Sequence, residues 1–339
     1  MRYRLAAIAM AFMPIMAEAQ IVPTIPSAPT PPPPDLRATL SLSIENDVFT
    51  GTDRYYSNGL QLSWTSASAD LPSPLAWLNR QLDPVMGPGQ LRWGAAIGQS
   101  IYTPEDTDRR NPDPRDRPYA GFLYGTISLA RDAGTSFTLF ELQAGLVGPS
   151  ALGEQVQNNF HDLIGDGRSR GWDYQLKDEF VFGAVMSRTW RVPLVRFLGM
   201  ETELLPSATL AAGTITSLAG AGAVLRIGQG LEADYGPARI RPALAGSSFF
   251  QPRSGDFGWY VFGGVEGRAI ANDIFLDGNT WRESRRVDHR PFVGDLQVGA
   301  AIMWGGVRFA YTQVWRSEEF YGQRGGAQQF GSVSVTFRF

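Results

Sequence analysis

Two histidines occur in the 339 residues, and one of them, His161, lies where polar side chains gather on one side of a helix. Residues 151–164 contain no proline and no glycine after Gly153, and Glu154, Gln157 and His161 recur at spacings of three and four, which stacks them on a single helical face. An imidazole titrates near neutral pH and is the commonest general base, so this stripe is a candidate for taking a proton from water or a hydroxyl. The same spacing also describes an ordinary solvated helix surface. His289, in Val287-Asp288-His289-Arg290, has no comparable neighbours and reads as a surface residue.

A second concentration of reactive types is ENDVFTGTDRYYSNGLQLSW (Glu45 to Trp64), which crowds Asn46, Asp47, Asp53 and Ser57 into one loop and its flanks. Carboxylate and amide oxygens are hard ligands of the sort calcium takes, and a bound divalent cation polarises a carbonyl. The Ser57 hydroxyl is either a nucleophile or an orienting group. An Asn-Asp pair is equally the usual start of an Asx turn that caps a hairpin. No GxSxG elbow is present.

Strands must position these groups. Leu40, Leu42 and Ile44 alternate with Ser41, Ser43 and Glu45, and Leu60, Leu62 and Trp64 with Gly59, Gln61 and Ser63, the period of a strand with one apolar face. Counting by twos places Asp47 and Ser57 on the polar side; Asn46 has the opposite parity and needs a strand end or a bulge to join them. The same alternation predicts about twelve strands, each long enough for a tilted membrane strand, at roughly 38–47, 57–68, 91–102, 119–131, 136–148, 174–190, 201–212, 218–229, 258–271, 291–303, 306–317 and 329–339. The expected fold is therefore all-β: a membrane-spanning, antiparallel, up-and-down barrel with a short helix in an extracellular loop. Leu204 to Leu225 lacks charge and has the length of a membrane helix, but Pro206, Gly213, Gly220 and Gly222 favour a hairpin.

The ends fit this architecture. Arg2 and Arg4 precede an apolar run from Leu5 to Met16 and then Ala17-Glu18-Ala19, so residues 1–19 read as a cleaved secretory signal, too short in its apolar core to span a bilayer. Residues 20–37, with Pro31 to Pro34, read as a Pro-rich periplasmic tether, and 38–339 as the barrel with its active site at the extracellular rim. The final GSVSVTFRF alternates and ends on Phe339, the pattern of a terminal strand presented to the barrel assembly machinery; an edge strand of a soluble sheet is the alternative. There is no cysteine, which excludes disulfides, thiolate metal sites and a lipoprotein anchor. A formal charge of −3 with mixed signs gives no nucleic-acid footprint.

With the N-terminus in the periplasm, the first, third and fifth connections emerge outside the cell. These are the 46–57 loop, TPEDTDRRNPDPRDRP, and the long GPSALGEQVQNNFHDLIGDGRSRGWD that carries His161. In the second of them, Arg109, Arg110, Arg115 and Arg117 suit bidentate binding of phosphates, while the interleaved Asp106, Asp108, Asp113 and Asp116 suit a self-neutralised solvated loop.

Together, Glu45 to Trp64, GQSIYTPEDTDRRNPDPRDRPYAGFLY (Gly98 to Tyr124) and GPSALGEQVQNNFHDLIG (Gly148 to Gly165) closely resemble the lipid A 3′-O-deacylase family, outer-membrane barrels that remove acyl chains from lipopolysaccharide. The similarity continues, more weakly, through YGPARIRPALAGSSFF, FGWYVFGGVEGRAIANDIFLDGNTWRES and the last strands. The resemblance implies calcium-dependent hydrolysis of the 3′-linked acyloxyacyl ester of lipid A in the outer leaflet of the outer membrane. It makes His161 the catalytic histidine, Asn46 and Asp47 the active-site pair with Asp47 on the metal, Ser57 the family's Ser or Thr, and Gln157 the glutamine one turn before the histidine. Arg109 and Arg117 become candidates for substrate binding. Asp166-Gly167-Arg168-Ser169 departs from the family, lacking an aromatic that some relatives place after the histidine. Two mechanisms follow: water attack with His161 as base, which is favoured, or an acyl enzyme on Ser57. The competing functions are a catalytically silent porin or interaction barrel, and an outer-membrane phospholipase.

Overall fold

The computed structural model describes residues 30–339 other than 51–53, 166, 241, 242, 244, 245, 254 and 256. The expected signal, residues 1–19, the start of the tether and Asp53 lie outside the described residues.

Strands β1 (Thr39–Asn46), β2 (Tyr55–Thr65), β3 (Gln90–Thr103), β4 (Ala120–Asp132), β5 (Ser136–Val147), β6 (Glu179–Trp190), β7 (Val192–Phe197), β8 (Met200–Gly213), β9 (Thr216–Gln229), β10 (Phe257–Asp273), β11 (Phe292–Trp304), β12 (Val307–Arg316) and β13 (Gln328–Arg338) each pair antiparallel with their neighbours in sequence, save that β6 passes over β7 to pair with β8. The first and last strands meet from Thr39 opposite Arg338 to Asn46 opposite Gly331, which closes the sheet. β7 prolongs β6 past Arg191 and pairs with the lower end of β8, so the two share one place in a twelve-stranded barrel. The break has local causes. Arg191 turns inward to donate to the Asp234 carbonyl at 2.5 Å, and Pro193 has no N–H for the ladder. The uncharged 204–225 stretch is the β8–β9 hairpin, turning at 213–216.

The alternation is inside-out relative to a soluble protein. Leu40, Leu42 and Ile44 are exposed while Ser41, Ser43 and Glu45 are buried, and Ile97, Ile127, Phe182, Leu210, Val265 and Phe309 continue the exposed apolar surface around the wall. An apolar exterior over a polar lumen is stable only where lipid replaces water outside.

The lumen is filled. The described residues of the 231–252 segment, between β9 and β10, lie inside the barrel toward the end where β1 begins and β13 ends, which is periplasmic in the expected orientation. Asp234 there receives Arg226 at 2.5 Å, Arg308 at 2.6 Å and the Tyr260 hydroxyl at 2.8 Å, and Arg239 meets Glu45 at 3.2 Å. Phe249 and Phe250 pack beside them. The proline-rich stretch is ordered where it is described: Asp35 bridges Arg92 of β3 at 2.8 Å and Arg338 of β13 at 2.6 Å, and the Pro33 carbonyl accepts from Gln251. Burial opposes ionisation of Asp35, but the two guanidiniums outweigh it and hold its pKa below the ordinary value.

Helix α1 (Ser73–Met86) joins β2 to β3 at the same end, anchored where Arg131 meets Asn79 and Asp83. At the opposite end lie α2 (Gly153–Ile164), between β5 and β6, and the single turn α3 (Ile274–Asp277) after β10. The three loops expected to converge do so. Arg170 N–H donates to the Thr107 carbonyl, Leu176 N–H to that of Tyr119, and Arg54 pairs with Glu105 at 3.1 Å.

Candidate active site

The site is built on the outer face of the wall. On β1, Asn46 continues the row of Leu40, Leu42 and Ile44, which face outward, so the parity that separated it from Asp47 and Ser57 is resolved in its favour. Ser57 was expected on the polar, inward face, and the structure corrects this. The β2–β3 register shifts between Tyr56 and Asn58, leaving Ser57 as the extra residue of a bulge. Tyr56 points inward against Tyr102 and Phe330, whereas Ser57 Oγ lies 2.7 Å from Oγ1 of Thr103, the end of the outward row Ile97, Gln99, Ile101. Tyr55, just before the bulge, has φ 71°, a left-handed conformation costly for an aromatic residue, and its hydroxyl is tied to the Arg324 carbonyl at 2.8 Å.

Asp47 opens a 3-10 turn and is wholly buried. Its Oδ2 accepts the backbone N–H of Arg54 at 2.6 Å, and Asn46 Oδ1 accepts that of Val48 at 2.7 Å. The Asx-turn reading is therefore realised, and it fixes both side chains at the strand end.

α2 lies on this outer face, crossing from β4 over β3. Its first residue, Gly153, touches Gly121 so closely that a Cβ on Gly153 would stand 2.9 Å from the Gly121 Cα and 2.9 Å from the Trp172 ring. Gln99 secures the preceding turn by donating to the Ala151 carbonyl at 2.6 Å. The face pressed to the wall is Gly153, Gln157 and His161; Glu154, expected on that stripe, is exposed. The outward face carries Leu152, Val156 and Leu163, the last 82% exposed. The helix thus has three sides: Gly153, Gln157 and His161 against the wall, a bare apolar stripe of Leu152, Val156 and Leu163, and the exposed polar side chains of Glu154, Gln155, Asn159 and Asp162.

His161 is 4% exposed, and its Nδ1 lies 2.6 Å from the Gly167 carbonyl. A carbonyl can only accept, so Nδ1 carries the proton and Nε2 the basic lone pair. The segment that departs from the family holds this tautomer. Gly165 reverses the chain at φ 77°, Asn158 clasps Ser169, and Asp162 pairs with Arg168, returning Gly167 to the ring.

Helix rise puts His161 about 12 Å from Gly153, and strands are spaced about 4.8 Å, so a helix leaving β4 across β3 carries the imidazole toward β2 and β1. Gln157 and His161 on α2, and Asn46, Asp47, Ser57 and Thr103 at the ends of β1, β2 and β3, are all 7% exposed or less. The two arginine candidates stay apart. Arg109 is exposed beside Asp106 at 3.8 Å, and Arg117 is buried inside the mouth, paired with Glu319 at 3.1 Å over the Tyr102 ring, where it cannot meet a ligand on the outer face. His289 pairs with Asp277 at 2.6 Å; burial works against its charged form, but the carboxylate outweighs it and raises the pKa.

Thr103, Gly121, Gly153 and Trp172 escaped the reading of the sequence. Thr103 lay within reach of counting by twos along β3; Gly121 and Gly153 matter only through a contact between elements. Gly153→Ala is expected to lift α2 from β4 and cost about a hundredfold in turnover with the barrel intact, since a misplacement near 1 Å has that effect on a positioned group. Parallel assays of turnover and heat-modifiable gel migration measure this, and unchanged turnover would show that the close contact does not set the position of His161.

A family model described as "Outer membrane protein LpxR" matches residues 5–339. No curated protein sequence matches the chain. Among solved structures, it is similar to LpxR from Salmonella typhimurium, at 22% identity and a TM-score of 0.72, over 89% of this chain and 100% of that one. It is far less similar to the translocator domain of the autotransporter NalP from Neisseria meningitidis, at 13% identity and a TM-score of 0.35, over 91% and 90% of the two chains.

Proposed function

The chain belongs to the LpxR family of outer membrane proteins, and from that premise we propose that it hydrolyses the 3′-linked acyloxyacyl ester of lipid A in the outer leaflet, with calcium as cofactor. The observation that carries the reading is the placement of α2 against the outer face of the wall, with a buried histidine of fixed tautomer on its wall side and a bare apolar stripe, Leu152, Val156 and Leu163, beside it. An ester at the junction of sugar and acyl chain lies at that depth.

Asn46, Asp47 and Ser57 supply a carboxylate, an amide oxygen and a hydroxyl, a hard-oxygen set that fits calcium. Among the described residues no three His, Asp or Glu side chains gather into a metal site. When bound, calcium supplies charge to the ester carbonyl oxygen as negative charge develops there. His161 Nε2 takes the proton of the attacking water, while the Gly167 carbonyl stabilises the imidazolium through Nδ1–H. His161 then returns the proton to the leaving alkoxide. Buried beside it, Gln157 helps keep bulk water out.

Ser57 Oγ is hydrogen bonded to Thr103 Oγ1 at 2.7 Å. A serine nucleophile needs its base within hydrogen-bond reach, so this geometry favours water attack with Ser57 as an orienting group. Ser57→Thr is accordingly expected to keep substantial activity, with no acyl adduct trapped on the wild-type serine; an adduct at Ser57 found by mass spectrometry would assign the nucleophile to serine instead.

The filled lumen, and Asp35 tied across the periplasmic end, speak against a porin. Mass spectrometry of lipids from cells with and without this chain tests the proposal. Loss of the 3′-linked acyloxyacyl group from lipid A is expected. Accumulation of lysophospholipid with intact lipid A would assign a phospholipase, and no change in either would remove the hydrolase reading.

A further inference from the structure

Helix α1 lies outside the barrel wall. On β4, Thr126 and Ser128 line the lumen and Asp132 binds the Tyr235 hydroxyl inside it, whereas Ile127 is exposed, so Arg131 projects outward. Its guanidinium meets Asn79 at 3.1 Å, Asp83 at 2.6 Å and the Gly87 carbonyl at 2.6 Å. Asn79 donates in turn to the Gly89 carbonyl at 3.0 Å, so the helix and the turn after it are pinned to the outer face where β3 begins. Leu91 of β3, opposite Arg131 in the ladder, is covered although it shares the outward row with the bare Ile97.

That row on β3 also relates α1 to α2. Leu91 is 2% exposed at the α1 end, Ile97 is 59% exposed in the middle, and Ile101 is 1% exposed beside Trp172 at the α2 end. From Leu91 to Ile101 the strand runs about 33 Å, or about 25 Å along the barrel axis at a tilt near 40°, the height of the apolar band of an outer-membrane barrel. The two helices therefore bracket one flank of the wall, one at each margin of its lipid-facing band.

Leu75, Leu82 and Met86 are half-buried on the side of Asn79, whereas Trp77 and Val85 stand bare, Val85 at 84% exposure. Spaced two turns apart, they share one side of the helix. Tryptophan is enriched at the membrane–water boundary, and the adjoining wall carries the same belt. Outward-facing Trp64 and Trp93 pack edge to face at 4.8 Å, and Trp190 and Trp304 are exposed at the same end of β6 and β11. The bare side of α1 is thus continuous with the lipid-facing surface. Arg80, exposed beside it, suits a lipid phosphate.

We propose that α1 is an interfacial anchor lying in the headgroup layer of the inner leaflet, with Trp77 and Val85 inserted at the boundary with the phospholipid chains and Arg80 at the phosphates. Helices of this kind bury their apolar side about 5–10 Å into that boundary. The anchor sets the height of the β3–β4 flank in the membrane, and through those strands the height of α2 in the opposite leaflet. It stands whatever the hydrolase reading becomes.

The chain contains no cysteine, so Trp77→Cys and Val85→Cys each provide a single site for a nitroxide label. The full-length protein carrying either label, in vesicles of phosphatidylethanolamine and phosphatidylglycerol, is read for collisions with oxygen, which concentrates in lipid, and with a water-soluble nickel chelate. Asp70→Cys, in the exposed turn before α1, is the water reference, and Ile127→Cys the lipid reference. The ratio of oxygen to nickel collisions is expected to be several-fold higher at Trp77 and Val85 than at Asp70, approaching that at Ile127. Both side chains are exposed, so both labelled variants should fold, with heat-modifiable gel migration as the control. A ratio at either position equal to that at Asp70 would leave α1 in periplasmic water. Exclusion of both reagents would place protein, such as a second copy of the chain, over the bare side. Either result overturns the proposal.

Discussion

His161→Ala is expected to give a folded barrel whose ester hydrolysis is slower by about two to four orders of magnitude, the usual cost of removing a positioned general base. The ring is buried on the wall face of α2 with its tautomer fixed by the Gly167 carbonyl, so no solvent-exposed base stands ready to replace it. Folding should survive, because α2 is held by Gly153 on Gly121 and by Gln99, contacts that the substitution leaves alone. The lost hydrogen bond to exposed Gly167 is worth about 0.5–1.5 kcal/mol, small beside the pairing of twelve strands. Single-turnover rates with gel migration as the folding control measure this. A variant with wild-type turnover would remove His161 from the chemistry.

A comparable loss is expected from Asp47→Ala and, independently, from excess chelator acting on the wild type. Asp47 is the only carboxylate among the candidate residues on the wall, and it is wholly buried at the end of β1. Removing it takes away both a hard ligand and a negative charge, and the loss of charge stabilisation at a developing oxyanion is worth about a hundredfold to a thousandfold. Added calcium should reverse chelation, and Asp47→Asn should shift the calcium concentration for half activity upward before it lowers the maximal rate. Full activity in excess chelator would exclude a metal role for Asp47.

The barrel was legible because each strand repeats one simple contrast, apolar outside and polar inside, over ten or so residues. The wall and its hairpins follow from that contrast, including the glycine-rich β8–β9 pair that a hydropathy window alone would read as a helix. Features that depend on contacts between elements were not legible. Ser57 reads inward by counting, and only the bulge, coupled to the left-handed Tyr55, turns it outward. Arg117 reads as a surface arginine, yet Glu319, some two hundred residues later, draws it into the lumen. α1 carries Pro74 and Pro84 and buries no residue fully, so its pattern is faint. Residues 231–252 have neither helical nor strand period; the described ones are held by Arg226 of β9 and Arg308 of β12 on Asp234, and by Glu45 of β1 on Arg239, partners that the local sequence does not reveal. The polar face of α2 was visible as a stripe, but which side of it met protein depended on Gly153 finding Gly121.

The bare apolar stripe of α2, Leu152, Val156 and Leu163, has a kinetic corollary. An enzyme whose site faces the leaflet meets its substrate by lateral diffusion in two dimensions, and the concentration that governs its rate is a surface mole fraction. Diluting proteoliposomes in buffer should then leave the rate per enzyme unchanged, whereas diluting the substrate with inert lipid inside each vesicle should lower it in proportion. Crowding and order among the acyl chains would set the encounter frequency, so the same molecule would work at different speeds in a fluid leaflet and in one stiffened by cooling, with no change in its own structure.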